Sequence, residues 1–378
     1  MAAKSAKPPK IAIFHDRLNV RGGGEQVVEE LARLYPKAPI FTLLYDRRKF
    51  LKSEIAKHLV RTSFINRLPK AIERHRYYIP LMPFAIEGFE LERFDLILSS
   101  SAAFAHGVHT NRSQLHLSYI HSPMRYAWHQ YRQHVGELGF GSPLVRLLLA
   151  YLRRWDRGAS AGPDHLVTNS AWTAKAIRTA FEREATVIYP PVHTELFRPA
   201  AKRGDYYLTV SRLVPYKRVD LIVRAFAANG KPLVVIGEGQ QAEKLKKLAT
   251  GNIRFLPFQP AEAFAQWMNE ARAFVYAAEE DFGIAAVEAQ AAGCPVIAFG
   301  RGGLTETVID GKTGLFFDEQ SVESLAAAID RFERGEIRFD PKAIAKNAER
   351  FTVKIFERSF TNFVDDKWKA FVEQVQPA

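Results

Sequence analysis

The sequence predicts an α/β protein built from two doubly wound domains, and three observations support this prediction. The chain has 378 residues, more than one hydrophobic core usually organises. Short runs rich in β-branched and aromatic residues alternate with amphipathic stretches, as in parallel sheets covered by helices. A proline-rich segment that then turns polar, residues 189–204, lies near the middle and indicates a linker.

Each half of the chain contains its own series of strand candidates. In the first half these are residues 10–14, 39–45, 58–62, 94–98, 115–120 and 165–168, and in the second half 206–210, 232–236, 252–256, 273–276, 295–298 and 314–317. Helices are predicted over 25–35, 321–334 and 352–375, the first because Val27, Val28, Leu31 and Ala32 share one face. Open parallel sheets bind ligands beyond the carboxyl ends of their strands, so both domains would offer their sites to a central cleft.

The charge is unevenly distributed between the two halves. Apolar residues make up 47% and charged residues 25% of the chain, a balance typical of globular proteins. Residues 1–200 carry 29 Lys and Arg against 17 Asp and Glu, so they account for the whole net charge of +12. The densest basic stretch is 46–76. A positive electrostatic field of this kind attracts phosphates, nucleic acid or anionic lipid. For any single Lys or Arg, the alternative is a surface residue that only keeps the protein soluble.

The sequence also predicts a cytoplasmic protein. No apolar segment of a secretory signal follows the basic first ten residues, and no run of eighteen apolar residues is present. Cys294, the one cysteine, stands in an apolar stretch and is interpreted as a buried small side chain. Residues 142–157 combine a long apolar face with Arg153, Arg154 and Trp155, so this stretch is either a membrane-surface helix or a core helix.

Glycines follow the first predicted strand, at Gly22, Gly23 and Gly24, directly before the first helix. Backbone N–H groups at such a turn can approach an anion closely, and the helix N-terminus favours negative charge. No Gly-Lys-Ser/Thr follows, so this is not a Walker motif. A second turn, Gly237-Glu238-Gly239, lacks the further features of a dinucleotide fingerprint.

Two carboxylates, Glu280 and Glu288, enclose a mostly apolar interval of seven residues. If that interval is largely helical, their backbones are about 12 Å apart. Hydrolase carboxylate pairs lie about 5–9.5 Å apart, so this spacing suits them poorly. It suits two groups that accept hydroxyl hydrogen bonds at the two ends of one elongated ligand. The alanine-rich surroundings of Glu288 predict that this carboxylate needs a partner.

The segment 280–306, which contains Glu-x7-Glu, Ala-Gly-Cys-Pro-Val and Gly-Gly-x-x-Glu, resembles the donor site of family-4 retaining glycosyltransferases, which have the GT-B fold. Residues 169–170, 189–192 and 211–218 also resemble the family pattern. More narrowly, 78–83 and 119–128 resemble bacterial O-antigen and exopolysaccharide mannosyltransferases. The resemblance implies two Rossmann-like domains facing a central cleft, 1–195 for the acceptor and 205–350 for the nucleotide-sugar donor, with a helix at about 355–378 packing back on the first.

The resemblance also assigns roles to residues. Arg212 and Lys217 would bind the donor diphosphate, which agrees with the way fixed cations stabilise a leaving group. Glu288 would bind the ribose, and Glu280 the transferred sugar. The remaining expected roles are backbone contacts at Gly23, Gly24, Phe282 and Gly283, a contact of His121 with the sugar, and contacts of Arg125 and Arg132 with an acceptor phosphate. Asp281 stands where the family more often has glycine.

The expected reaction is metal-independent and needs no cofactor, because no Asp-x-Asp pair or His/Cys cluster with ligand spacing stands out. The expected partners are a nucleotide diphosphate sugar, a polyprenyl-diphosphate-linked glycan and an anionic membrane surface at the inner face of the plasma membrane. GDP-mannose is the expected donor by subgroup resemblance. The alternatives are a UDP-sugar donor, a GT-B sugar-nucleotide epimerase and a basic nucleic-acid-binding protein. No nucleic-acid motif supports the last of these.

Overall fold

A computed structural model of the protein describes residues 8–128, 143–200 and 202–375. These residues form two compact units. The first contains the described residues through Pro191 together with those from Phe356 onward, and the second is Val192–Ile355. The boundary between them falls inside the proline-rich stretch.

The first unit is organised by a seven-stranded, wholly parallel sheet. Its spatial order is β3-β2-β1-β4-β5-β6-β7, which is the order of a doubly wound Rossmann-like domain. The strands are β1 (Ile11–His15), β2 (Ile40–Thr42), β3 (Val60–Thr62), β4 (Leu96–Ser101), β5 (Leu115–Ile120), β6 (His165–Thr168) and β7 (Thr186–Val187).

Helices cover this sheet because their apolar residues fall on one side. They are α1 (Gly23–Leu34), α2 (Met82–Glu87), α3 (Pro143–Ala159), α4 (Ala171–Phe181) and α12 (Val353–Val375). The C-terminal helix α12 buries Phe356, Phe360 and Val364 in the same core cluster as α1 and β1. Short 3-10 helices connect the early strands, at Arg47–Lys49, Glu54–Lys57, Phe64–Arg67, His75–Leu81 and Ala105–Gly107.

The second unit repeats the same principle with six parallel strands in the order β10-β9-β8-β11-β12-β13. The strands are β8 (Tyr207–Val210), β9 (Leu233–Ile236), β10 (Ile253–Leu256), β11 (Ala273–Tyr276), β12 (Val296–Phe299) and β13 (Gly314–Phe317). The helices are α5 (Val219–Asn229), α6 (Ala242–Leu248), α7 (Ala261–Glu270), α8 (Ile284–Ala291), α9 (Leu304–Thr307), α10 (Val322–Glu333) and α11 (Pro341–Ala348). The prediction of an α/β protein with two doubly wound domains is therefore confirmed.

Strand β7 and helix α11 are among the elements for which the sequence analysis gives no range. Strand β7 has only two residues, both exposed, so it shows neither a buried run nor an alternating pattern. Helix α11 has eight residues and starts at Pro341. Asp340, the residue before it, caps the helix by accepting a hydrogen bond from the backbone N–H of Lys342. Proline at the first helical position and an aspartate before it are a recognisable start signal.

The register of the first sheet brings distant polar residues to one edge. His15 ends β1 and pairs with Ser100 of β4, while Ser101 pairs with Ile120, the last residue of β5. His121 follows β5 directly. Because parallel strands end at the same side of a sheet, these residues meet at the carboxyl edge, where ligands of this fold class bind.

A buried carboxylate fixes the backbone at that edge. Asp16 is 4% exposed and accepts hydrogen bonds from four consecutive N–H groups, those of Ala102, Ala103, Phe104 and Ala105, at 2.6–2.9 Å. Four backbone donors that the sheet leaves unpaired are thereby satisfied.

We expect Asp16→Asn to destabilise the protein by about 3 kcal/mol, because the amide turns an NH₂ group toward N–H donors and loses the charge. Urea unfolding measures the free energy. Asp366→Asn, an exposed substitution with the same change of charge on the same unit, is the control and should change stability by less than about 0.5 kcal/mol. Equal stabilities of the two variants would contradict the role given to Asp16.

Candidate functional site

A compact polar cluster lies at the carboxyl edge of the second sheet. Lys217 ends a 3-10 helix, Pro215–Lys217, that follows β8, and Tyr276 is the last residue of the neighbouring strand β11. The Lys217 ammonium donates to the Tyr276 hydroxyl at 2.9 Å, and that hydroxyl lies 3.1 Å from Glu280 Oε1, to which it donates. Lys217 also forms an ion pair with Glu280. The two charged side chains are only 13% and 12% exposed.

The charges of this cluster stabilise one another. Burial lowers the pKa of Lys217, but the charge and hydrogen bond of Glu280, with contributions from Tyr276 and Tyr216, together outweigh it and raise that pKa above its usual range. The pKa of Tyr276 is also raised, by burial and by the same carboxylate. Lys217 is therefore a cation and Tyr276 a neutral hydroxyl at physiological pH, which leaves a directional cation in a site with little competing water.

Arg212 is exposed and lies on the loop before this 3-10 helix. Its Nη2 donates to the Tyr216 hydroxyl at 2.8 Å, and Tyr216 precedes Lys217. The two cations predicted to bind phosphate are thus connected through one aromatic side chain.

The turn Gly237-Glu238-Gly239 supports the Arg212 loop. A Cβ atom on Gly237 would lie 1.9 Å from the Ser211 carbonyl oxygen, and one on Gly239 would lie 2.4 Å from the Leu213 carbonyl oxygen. The Leu213 N–H donates to the Glu238 carbonyl at 2.8 Å. These glycines therefore allow two backbones to touch, a role that the comparison with dinucleotide fingerprints did not reveal.

The interval between the two predicted carboxylates is only partly helical, which corrects the assumption behind the 12 Å spacing. Helix α8 begins at Ile284, after Gly283 with φ of +88°. Before it, the Glu280 carbonyl accepts the Gly303 N–H at 2.7 Å, and a Cβ atom on Gly302 would lie 2.3 Å from that carbonyl oxygen. The Gly302-Gly303 pair thus fixes the loop that carries Glu280.

The ring of Phe282, from the same loop, points into the core, so the predicted donor contact at this residue stays a prediction for its backbone alone. The ring is buried and packs edge-on against Phe351, with centroids 5.4 Å apart. Asp281 beside it approaches Gly303 so closely that a Cβ atom on that glycine would lie 2.1 Å from the Asp281 carbonyl oxygen.

Glu288 lies on α8, in the unit that carries the Lys217–Tyr276–Glu280 cluster. No hydrogen bond or ion pair joins its side chain to a residue in the described part of the chain. Burial raises its pKa to about 7, with a smaller opposing effect from the charge of His193. The partner that the sequence predicted for Glu288 is therefore not a side chain among the described residues, which leaves its carboxylate available to the hydroxyl groups of a ligand.

In the first unit, Gly24 lies over His121. A Cβ atom on Gly24 would be 3.4 Å from His121 Nε2 and 3.6 Å from His15 Cε1. Gly23 is the first residue of α1, and Gly22 before it is extended. His121 Nε2 lies 2.8 Å from the Ser100 hydroxyl.

Of the two predicted acceptor arginines, Arg125 lies shortly after β5. Arg125 is partly buried, and its Nε donates to the Ser122 hydroxyl at 3.2 Å. Arg132 lies outside the described residues.

Sequence reasoning missed several residues of these clusters, namely His15, Glu25, Ser100, His193 and Tyr276. His15 and Tyr276 are the last residues of parallel strands, and Ser100 is one residue from the end of another. Polar residues at carboxyl strand ends are the signal that would have found these three. Glu25 and His193 carried no comparable signal.

Residues 8–128, 143–200 and 202–375 contain neither a metal-binding cluster nor a membrane-spanning helix. No group of three or more His, Cys, Asp or Glu side chains is arranged to hold a metal ion. No described helix is both long and apolar enough to cross a membrane.

Comparisons with known proteins agree with this architecture. The family described as "Glycosyltransferase Family 4" matches residues 21–196, and the one described as "Glycosyl transferases group 1" matches residues 195–351. A relative from Mycobacterium tuberculosis, the GDP-mannose-dependent alpha-(1-6)-phosphatidylinositol monomannoside mannosyltransferase, is 34% identical over 229 residues, 52% of this chain and 58% of that protein. The chain thus spans little more than half the length of this curated relative.

Solved structures match over nearly the whole length. The Anabaena protein HepE in complex with UDP-glucose has a TM-score of 0.70 at 20% identity, with 95% of this chain and 100% of that chain covered. Sucrose-phosphate synthase from Thermosynechococcus elongatus has a TM-score of 0.71 at 19% identity, with 95% and 99% covered. At this identity the likeness concerns the fold, and the two family matches together extend from residue 21 to residue 351. The chain therefore belongs to the family-4 glycosyltransferases, with the GT-B fold of two Rossmann-like domains.

Proposed function

We propose that this protein is a retaining glycosyltransferase that moves a hexose, mannose from GDP-mannose, to a lipid-linked oligosaccharide in the synthesis of a cell-surface polysaccharide. The observation that carries the proposal is the Lys217–Tyr276–Glu280 cluster on the same unit as the unmatched Glu288 carboxylate. Together they offer a cation for a diphosphate and two carboxylates for the hydroxyl groups of two sugars.

The proposed chemistry follows from those groups. Ribose hydroxyls donate to Glu288, and hydroxyls of the transferred sugar donate to Glu280. Lys217 and Arg212 stabilise the negative charge that grows on the diphosphate as the glycosidic bond breaks, so no divalent ion is required. The departing phosphate assists in removing the acceptor proton, and transfer with retention follows.

The choice of donor rests on relatives. The Mycobacterium tuberculosis relative is named as GDP-mannose-dependent, which supports GDP-mannose. The HepE structures contain UDP or UDP-glucose, which supports the second candidate, a UDP-sugar. Both use the same diphosphate and ribose contacts, and they differ in the base and the sugar.

We expect the purified protein to transfer mannose from GDP-mannose, in preference to glucose or galactose from the UDP-sugars, to a lipid extract in the presence of EDTA.

We expect Lys217→Met to lower kcat/KM for the donor about 100-fold or more, because it removes the cation opposite the leaving group. The measurements are mass spectrometry of the lipid product and determination of the anomeric configuration of the new bond.

Lys231→Met is the matched control, because Lys231 forms a Lys–Glu pair with Glu333 at 3.7 Å in the same unit. It should leave transfer unchanged. Transfer from a UDP-sugar alone would select the second donor, and release of free sugar without transfer would contradict the proposed function.

We expect GDP binding to weaken as the pH falls through about 7, because the ionised Glu288 carboxylate accepts two ribose hydroxyls and its protonated form does so poorly. In Glu288→Gln the affinity should be about tenfold lower at pH 8 and should lose this pH dependence. Isothermal titration calorimetry between pH 5.5 and 8.5 measures both effects. Glu323→Gln, exposed on α10, is the control. An unchanged pH dependence in Glu288→Gln would contradict the ribose role.

We propose that an anionic membrane surface holds the lipid acceptor near helix α3. This helix buries Leu149, Leu152 and Asp156, yet Leu144 and Leu147 are 73% and 69% exposed. Four arginines of α3, Arg146, Arg153, Arg154 and Arg157, are exposed as well. The sequence left open whether this stretch is a membrane-surface helix or a core helix. The structure is compatible with both, because the buried face packs in the core while the exposed leucines and arginines of the same helix can contact lipid.

We expect the double variant Leu144→Ser/Leu147→Ser to bind vesicles containing phosphatidylglycerol at least about tenfold more weakly, because two leucines lose their burial in lipid. Co-sedimentation with vesicles measures binding. Phe258→Ser/Ile309→Ser removes exposed apolar side chains of the second unit and is the control. Equal binding by both double variants would contradict a docking role for α3.

A further inference from the structure

Two imidazole rings pack under Gly24 in the first unit. His15 is 2% and His121 8% exposed, and their ring centroids are 6.4 Å apart at an interplanar angle of 86°. A Cβ atom on Gly24 would contact both rings. Of the two, only His121 has an expected role, the contact with the transferred sugar that the family resemblance implies, and His15 has none.

A chain of polar contacts joins the two rings. Glu25 Oε1, from α1, lies 3.6 Å from His15 Nε2. On the other side of the ring, His15 Nδ1 lies 2.9 Å from the Ser100 carbonyl oxygen and 3.2 Å from the Ser100 hydroxyl oxygen. That hydroxyl lies 2.8 Å from His121 Nε2. Helix α1, strands β1 and β4 and the end of β5 each contribute one member.

The pKa values of the two histidines shift in opposite directions. Burial would lower the pKa of His15, but the hydrogen bond and charge of Glu25, with a contribution from Asp16, outweigh burial and raise it. The pKa of His121 is lowered to about 4 by burial and by the charge of His15. Asp16 and Glu25 oppose that effect and Arg125 adds to it, and the ring of Tyr119 packs 5.2 Å away.

The direction of the hydrogen bonds follows from the chemistry of the partners. The Ser100 carbonyl oxygen can only accept, so His15 Nδ1 carries a proton and donates to it, and the Ser100 hydroxyl oxygen accepts from the same N–H. The hydroxyl proton then points to His121 Nε2, which accepts, and the single proton of neutral His121 is on Nδ1. No hydrogen bond from a described residue reaches His121 Nδ1, so this N–H remains available as a donor.

We propose that Glu25, His15 and Ser100 are positioning residues that hold His121 as a neutral imidazole protonated on Nδ1, so that it donates one hydrogen bond to a hydroxyl of the transferred sugar. This inference rests on the proposed function, since it concerns the same reaction. It assigns His121 the part of a fixed neutral donor and excludes the part of an imidazolium acid. An oriented donor accelerates the reaction by holding the sugar in a reactive position, and a neutral ring adds no positive charge beside the sugar carbon, which becomes positive as the glycosidic bond breaks.

Nuclear magnetic resonance of protein labelled with ¹⁵N-histidine tests the protonation state directly. The His121 signals are assigned by their loss in His121→Asn. We expect His121 to show a protonated Nδ1 and an unprotonated Nε2 from pH 6 to pH 8, and His15 to show two protonated nitrogens at pH 6. A His121 protonated on Nε2, or one that titrates near pH 6.5, would overturn the inference.

Kinetics of Ser100→Ala tests the positioning role. We expect kcat to fall about tenfold with the donor KM nearly unchanged, and the His121 proton to redistribute between its nitrogens in the same spectra. Ser99→Ala is the matched control. Ser99 is the preceding residue of β4, equally buried, and its hydroxyl bonds to His116 Nε2 at 2.8 Å, away from His121. Its loss should leave kcat and the His121 spectrum unchanged.

The pH profile of Glu25→Gln supplies an independent readout. In the wild type, activity should fall as the pH rises through the raised pKa of His15. A neutral His15 has one proton, which the Glu25 carboxylate draws to Nε2, and Nδ1 then donates less to Ser100. Without the carboxylate, burial lowers that pKa, so the alkaline limb should move to lower pH. An unshifted limb would count against the relay. Absence of any transfer by the wild type would instead contradict the proposed function, so the two failures are distinguishable.

Discussion

The ion pair between Lys217 and Glu280 is the interaction on which the candidate donor site depends. It joins two segments that are 63 residues apart in the chain, and the Tyr276 hydroxyl bridges them. Removing two charges from water is costly, and a partly buried pair contributes little net stability. Its value lies in position, because it keeps a cation and a carboxylate at fixed points of a water-poor edge. A diphosphate that binds there meets a lysine already oriented by its partners.

Close backbone contacts set the positions of these side chains. The Gly237-Glu238-Gly239 turn touches the loop of Arg212, and Gly302-Gly303 touches the loop of Glu280. Contacts at 1.9–2.4 Å from a would-be Cβ atom leave no room for any other residue. These four glycines therefore allow the loops that carry Arg212 and Glu280 to contact neighbouring backbone closely.

In the first unit, polar side chains are buried near the carboxyl edge of the sheet. Three consecutive serines of β4 each bond to a histidine: Ser99 to His116, Ser100 to His121 and Ser101 to His106. Because side chains alternate along a strand, Ser100 points to the opposite face from its two neighbours. Only that middle serine belongs to the cluster beneath Gly24. The others bond to one ring nitrogen each of two buried histidines, His116 Nε2 and His106 Nδ1, where a nitrogen without a partner is costly.

The sequence by itself determined the fold class, because hydrophobic runs and helical periodicity are local properties. Strands β5, β6, β11 and β13 have the predicted bounds, and the two-domain α/β architecture is confirmed. It also identified Lys217, Glu280 and Glu288 as candidate residues through their motifs. Only the tertiary structure decided that Lys217 and Glu280 touch and that Glu288 has no partner among the described residues. The tertiary structure alone brought Glu25, His15, Ser100 and His121 together. The physical reason is that strand register and glycine contacts join residues far apart in the chain, and no local pattern records which distant side chains will meet.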